Sequence, residues 1–326
     1  VLEAMGMVKR SLGEWQEALR LTQEAIDVQR TLGEESALLD AIVKNLAIRC
    51  ATGAVDGTTP LSEEALALTR DPNSPHHEAF GIALGHSASL ASRLGDHERA
   101  AQLAKQAVEW SERRGDQGLN DFRDELSNLG SYLRRSGHLE EAEGYFLRAL
   151  DHGLAQFGRD HPSFAHTLNN LGVVTAQLGR TEEAYHYFQR ARDVIGQEVS
   201  TEHPWILQYD IKLAQLDLDQ GYAMDAVARL EPDLPFWKES QGRFAFLVVE
   251  AEISLANALA KSGRVERGGS LLRGGLASAR EAGATAACSS FREQLLRLAQ
   301  DHPETLAGLR LEDLEADAFC TARPEG

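Results

Sequence analysis

Histidines, cysteines and paired carboxylates are the residues of this chain whose type could do chemistry, and their spacing leaves them little to do. The three cysteines, Cys50, Cys288 and Cys320, are far apart and no CxxC occurs, so neither a zinc site nor a disulfide framework is suggested. Among the eleven histidines, His76-His77-Glu78 is a local cluster of ligand type, placed in a loop that opens DPNSPHH; a thermal midpoint raised by zinc would reveal a metal there. His161 and His203 each precede a proline at a helix start, 42 residues apart, and loop structure accounts for that shared position. Glu140-Glu141 and Glu182-Glu183 could serve acid–base work. At the first turn of a helix, however, negative charge complements the helix dipole. No P-loop, dinucleotide-binding, HExxH or GxSxG pattern occurs, and no strand pattern exists to carry one. The reading is a chain with no catalytic residue, no metal site and no cofactor, hence not an enzyme in itself.

The elements behind these residues are set by glycine. Gly13, Gly53, Gly95, Gly137, Gly179, Gly221 and Gly263 are separated by 40 residues and then five times by 42. A fixed period of this size means a solenoid of helix–turn–helix units. Each glycine suits a helix C-terminus that ends in a left-handed residue. Seven residues before it stands a small residue where two helices cross: Gly6, Ala88, Gly130, Gly172, Ala214 and Ala256. Five after it come Ala18, Ala100, Ala142, Ala184 and Ala226, and twelve after it Ala25, Ala65, Ala107, Ala149 and Ala191. Nine after it the later repeats carry Phe146, Phe188, Leu230 and Leu272. Offsets of 5, 9 and 12 fall on one face of the second helix. The predicted repeats span about 1–31, 36–70, 77–114, 119–157, 161–197, 203–231 and 242–282. A single helix at 284–300 covers the end of the stack, and an acidic tail, 301–326, holds a short helix at 303–309. Pro60 implies a shortened helix starting near Leu61 with Thr59 as its cap. Pro232 and Pro235 cut short the second helix of the sixth repeat.

A polar row interrupts this small-residue pattern. Nine residues before the turn glycine stand Lys44, His86, Asn128, Asn170, Lys212 and Ser254. Six before it stand Ser89, Ser131, Val173, Gln215 and Asn257, and two before it Arg93, Arg135, Gln177, Asp219 and Lys261. A buried helix face would be apolar there. A merely solvated face would also be polar, and that alternative stands beside the binding one.

Leu129-Gly130, Gly137, Ala142, Phe146 and Ala149, and again Leu171-Gly172, Gly179, Ala184, Phe188 and Ala191, resemble the tetratricopeptide repeat, whose usual period is about 34 residues. The 42-residue variant, with Asp160-His161-Pro162 before the helix and Asn169-Asn170-Leu171 inside it, is similar to the repeats of kinesin light chain and of related bacterial arrays. The resemblance covers roughly residues 1–283. It implies an all-α, right-handed α-solenoid of about seven units whose first helices line a concave groove that holds a peptide segment or partner domain. Asparagine at the first polar position then holds the backbone of an extended peptide, since a side-chain amide both donates and accepts. On that basis His86, Arg93, Asn128, Arg135, Asn169, Asn170, Gln177, Lys212 and Gln215 are the candidate peptide contacts. The lysine–asparagine carboxylate clamp of chaperone-tail binders is missing, because Ser127 and Ser131 stand in its place.

The 326 residues are 43% hydrophobic and 25% charged, as in a folded globular chain. A formal net charge of -17 argues against nucleic acid or an anionic membrane as partner. No run approaches the ~20 apolar residues of a membrane span, and the cysteine usage fits a reducing cytoplasm. The sequence opens at Val1 within a helical pattern, which reads as a piece of a longer polypeptide. Since arrays of this appearance follow serine/threonine kinase domains in bacteria, a regulatory or recruiting role for a larger signalling enzyme is the alternative to an independent scaffold. Self-association through the array ends is a third possibility.

Overall fold

The computed structural model describes residues 2–115, 120–157, 161–197, 203–239, 245–281 and 284–302. It is an all-α solenoid: among these residues there are sixteen α-helices, one 3-10 turn and no strand. The chain divides into two compact units, Val1–Arg159 with Val173–Gly179, and Asp160–Gly172 with Arg180–Gly326.

The first unit is built of helix hairpins: α1 (Leu2–Ser11) with α2 (Trp15–Leu32), α3 (Glu35–Thr52) with α4 (Thr58–Thr69), α5 (Phe80–Arg93) with α6 (His97–Arg114), and α7 (Asn120–Arg135) with α8 (Leu139–Phe157). Helices α2, α4 and α6 each pack on their own first helix and on the next one, and α8 packs on α7. The cause is visible in α2, where Ala18, Leu21, Thr22, Ala25 and Ile26 are buried, a stripe at i, i+3, i+4, i+7 and i+8. The turn between α7 and α8 shows why glycine keeps the period. Gly137 has φ +89°, its N–H donates to Arg134 O at 3.2 Å, and the next N–H, of His138, reaches back to Leu133 O at 2.9 Å. This paired closure satisfies the last carbonyls of the helix. The same reach-back bond recurs from Glu14 to Lys9 and from Asp96 to Ala91.

The second helix of the second hairpin is indeed short, but it starts earlier than the proline suggests. Helix α4 begins at Thr58, with Gly57 (φ +67°) rather than Thr59 at the cap position. Pro60 is tolerated as its third residue because the first N–H groups of a helix have no intrahelical acceptor.

The second unit holds the opening turns of α9 (Phe164–Gln177), whose last residues belong to the first unit, then α10 (Thr181–Gly196), α11 (Pro204–Asp219), α12 (Ala223–Leu230), α13 (Leu234–Glu239), α14 (Ala245–Lys261), α15 (Val265–Glu281) and α16 (Thr285–Asp301). The two prolines end α12 after eight residues and add the short α13, which seats Trp237 in the core beside Leu230, Leu234 and Leu255. Unpaired by a second helix among the described residues, α16 packs on α14 and α15. Its Cys288 and Phe291 join Leu272 and Leu276 of α15 in one core. The short helix expected at 303–309 and the acidic tail lie outside the described residues.

Candidate functional site

Of the ligand-type cluster His76-His77-Glu78, the His77 ring is engaged in packing. His77 sets its ring 4.2 Å from that of Trp110, and its Nδ1 lies 2.8 Å from Thr69 O. His203 caps α11, its Nδ1 accepting from Trp205 N at 3.3 Å, and His161 makes the same bond in the turn that leads into α9, its Nδ1 accepting from Ser163 N at 3.2 Å. Each bond spans two residues across a proline, so the shared His-Pro position is a helix-start device. Glu140-Glu141 and Glu182-Glu183 sit in the first turns of α8 and α10. Cys50 is a free thiol. Cys288 is disulfide-bonded, against the expectation from cysteine spacing, and its partner lies outside the described residues. Among the described residues no three His, Cys, Asp or Glu side chains gather as a metal site, and no helix is long and apolar enough to cross a membrane.

What remains is the polar face of the first helices. In the first unit, residues seven apart on one helix share a face, which pairs His86 with Arg93 on α5 and Asn128 with Arg135 on α7. Arg93, Asn128, Arg135 and Gln177 are exposed and His86 is half-buried. They are not equally available. Arg93 donates from Nη2 to Cys50 O at 2.7 Å, so its charge answers the C-terminal end of α3. Cys50 in turn donates from Sγ to His86 O at 3.7 Å. Burial pushes the Cys50 thiol up, with a hydrogen bond from Ser89 and the charge of Arg93 opposing. The Tyr132 hydroxyl is pushed up in the same way, again with Ser89 opposing. Burial first, and then repulsion from Arg10, hold the His86 imidazole below its ordinary range. The shifts of the thiol, the phenol and the imidazole all favour the neutral form, so these groups present donors and acceptors and no added charge; a thiolate nucleophile would need the opposite shift.

In the second unit, Asn170 Nδ2 lies 3.3 Å from His166 Nδ1. The buried Oδ1 of Asn169 has no hydrogen-bond partner among the described residues. Lys212 stands over the Phe188 ring, 5.6 Å from its centroid, as a cation–π contact. Gln215 lies one turn further along α11, exposed, and lines a cavity with Asp219, Asn257 and Lys261. Lys261 repeats the role of Arg93, pointing Nζ at Leu218 O at 3.5 Å. Cys50 and Leu218 each stand three residues before their turn glycine, and Arg93 and Lys261 each two before the next. The cationic members of the row thus begin as inter-repeat caps, a role that the sequence did not separate from ligand contact.

The structure adds residues the polar row omits. Tyr132 lies five residues before its glycine, where the other repeats carry aliphatic residues, and Cys50 three before its own, where the other repeats carry Arg, Ser, Ala or Leu. Asp301 and His302, at the end of α16, join the cavity of Gln215 and Asn257 but follow the last repeat, where no period points to them. A larger cavity, about 520 Å³, opens where α12 stops short, over Leu234, Leu255, Leu259 and Leu271. Its cations are already engaged: Lys238 pairs with the buried Glu252 at 2.6 Å and Arg267 with Glu231.

Sequence profiles of the tetratricopeptide repeat match residues 125–194 and residues 1–37. No curated protein sequence matches the chain. Among solved structures, BtubC (BKLC) from P. vanneervenii is 21% identical, with a TM-score of 0.58 over 70% of this chain and 92% of its own. A putative kinesin light chain from Podosopora anserina with nearly identical TPR-like repeats is 19% identical, with a TM-score of 0.53 over 60% and 93%. The apo form of RapI is 14% identical, with a TM-score of 0.59 over 94% and 98%. The chain thus carries tetratricopeptide-repeat matches over residues 1–37 and 125–194, and its fold is similar to that of solved proteins with kinesin-light-chain TPR-like repeats.

Proposed function

We propose that this chain is a non-catalytic interaction scaffold that takes a polypeptide segment on the polar face of its first helices. The carrying observation is that the register nine, six and two residues before the turn glycine holds exposed polar side chains in both units, Asn128, Arg135 and Gln177 in the first and Gln215, Asp219 and Lys261 in the second, with Val173 and the buried Ser254 among the exceptions. The positions beside them are sealed: Leu129, Leu171, Leu213 and Ala214 are buried. Asn128 and Asn170 supply paired donors and acceptors to a peptide backbone. Arg135, Gln177 and Gln215 contact side chains, and Arg93 and Lys212 contribute less because Cys50 O and the Phe188 ring already engage them. A displayed random-peptide library selected on the immobilised chain tests this. Enriched peptides should bind at least about tenfold more weakly to Asn128→Ala/Asn170→Ala, the loss of roughly 1.4 kcal/mol, while the variant keeps its helical content. Peptides that bind the variant equally well, or no enrichment at all, would remove the proposal.

A further inference from the structure

Three helices of the second unit end at one cavity. The last turns of α11, α14 and α16 meet around a space of about 270 Å³, each contributing a floor residue: Leu218, Ala260 and Leu298. A helix C-terminus carries about half a negative charge, so three of them make a field that favours a cation. Two carboxylates add to it. Asp219 and Asp301 line the cavity, both are exposed, and neither makes an ion pair among the described residues. Lys261, the last residue of α14, also lines it, and its Nζ is directed at Leu218 O; it therefore answers the α11 and α14 ends, which leaves the α16 end and both carboxylates without a cation among the described residues. Gln215 and Asn257 bring amide oxygens to the same rim, beside His302.

We propose that this cavity receives a basic side chain, an arginine in first place, from the polypeptide bound on the first-helix face; the inference rests on that reading. A guanidinium is planar, carries five donors and can bridge two carboxylates and an amide oxygen at once. Its methylene stem lies against Leu218, Ala260 and Leu298, as long cationic side chains lie on apolar surface. The net charge of -17 draws such a partner in from solution. The site therefore reads one residue type, where the asparagines read only backbone.

The test uses N-acetyl-arginine methylamide as probe, titrated into the labelled full chain and followed by amide resonances. The arginine amide should shift the signals of Asn257, Lys261 and Asp301, and the neutral isostere N-acetyl-citrulline methylamide should bind about fivefold more weakly, since two exposed charge pairs contribute together about 1 kcal/mol. Asp219→Asn/Asp301→Asn should lose the preference with the rest of its spectrum unchanged, and Lys261→Gln, which removes the competing cation, should bind the probe more tightly. Equal binding of the two probes, an unaltered preference in the double variant, or no shift at these amides would overturn the proposal. Library-selected peptides that depend on Asn128 and Asn170 but are indifferent to Asp219→Asn/Asp301→Asn would overturn it while leaving the scaffold reading intact. Arginine-amide binding here without any selected peptide would remove the scaffold reading and, with it, the polypeptide as the source of the arginine.

Discussion

Gly130 and Gly137 lie seven residues apart and are required for different reasons. Gly137 has room: no atom lies within 4 Å of where a Cβ would stand, but its φ is +89°. Gly130 has ordinary helical backbone and no room, since a Cβ there would lie 2.8 Å from Phe146 Cε1; at Gly172 the distance to Phe188 Cε1 is 2.6 Å. The crossing residue and the one sixteen later thus share a volume. Gly130 with Phe146 and Gly172 with Phe188 give way to Ala214 with Leu230 and Ala256 with Leu272, and in the second hairpin the large residue changes sides, as Leu46 with Ser62. Gly137→Ala should cost about 1–2 kcal/mol through backbone strain alone, with no partner substitution that restores it. Gly130→Ala should cost about 1–3 kcal/mol by overpacking, and adding Phe146→Leu should recover much of it. Denaturant unfolding of the four species would show a coupling of about 1 kcal/mol or more; additive losses would refute the shared volume. His86 gives a pH test at the same scale. Its folded-state pKa is depressed by burial and then by Arg10, so its stabilising contribution is present above the ordinary value of about 6.5 and lost as pH falls through that range. Thermal midpoints at pH 7.5 and 5.5 should therefore drop more in the native chain than in His86→Gln.

At the scale of elements, the second unit is held by a charge network that no period reveals. Asp210 on α11, buried, accepts from Arg192 Nε of α10 at 2.7 Å. Asp217, one further face turn along α11 and also buried, accepts from Arg229 Nε of α12 at 3.2 Å. Arg229 then donates from Nη2 to the Tyr185 hydroxyl of α10 at 2.7 Å. Burial is the largest influence on both carboxyls and pushes them up, with the arginines opposing. This network anchors α12 although it is only eight residues long. The helices themselves were legible, because glycine spacing, small crossing residues and prolines are local signals with direct backbone causes. The network was not, because two aspartates inside a first helix look like solvated positions until the second helices that cover them are placed. Asp210→Ala should cost about 2–3 kcal/mol, at the low end for a broken buried pair because Arg192 keeps part of its exposure. Asp210 and Asp217, with raised folded-state values, hold the proton more tightly when folded. Their contribution is full below the ordinary carboxylate value and is lost as pH rises through the folded one. The stability gap between the native chain and Asp210→Asn, followed by urea unfolding, should accordingly narrow from pH 4 upward and then level.

Over the whole molecule, two electrostatic effects of opposite sign can be ranked. Second helices are tied to the next second helix within each unit by exposed ion pairs: Glu63 with Arg99 at 3.2 Å, Lys105 with Glu141 at 3.0 Å, Glu112 with Arg148, and Glu231 with Arg267. In all four the partners are 36 residues apart, a spacing the 42-residue glycine ruler conceals because these residues sit six positions out of register on facing helices. The first-helix face was legible wherever the repeat continues and became illegible at α16, where a single helix replaces a hairpin and brings Asp301 and His302 to a rim no repeat predicts. Against the ion pairs stands a net charge of -17, which disfavours the compact state by self-repulsion. Exposed pairs contribute about 0–1 kcal/mol each and their attraction is itself screened. Raising salt from about 0.01 M to 0.15 M shortens the screening length from about 30 Å to about 8 Å. That weakens repulsion between charges on distant repeats far more than attraction across a contact of 3 Å. The thermal midpoint should rise over this range, and Glu141→Gln, which removes the Lys105 pair together with one unit of excess negative charge, should leave it within about 1 kcal/mol of stability at low salt. A midpoint that falls steadily with added salt would show instead that the ion-pair ladder, and not the excess of acid, governs how firmly the repeats are held.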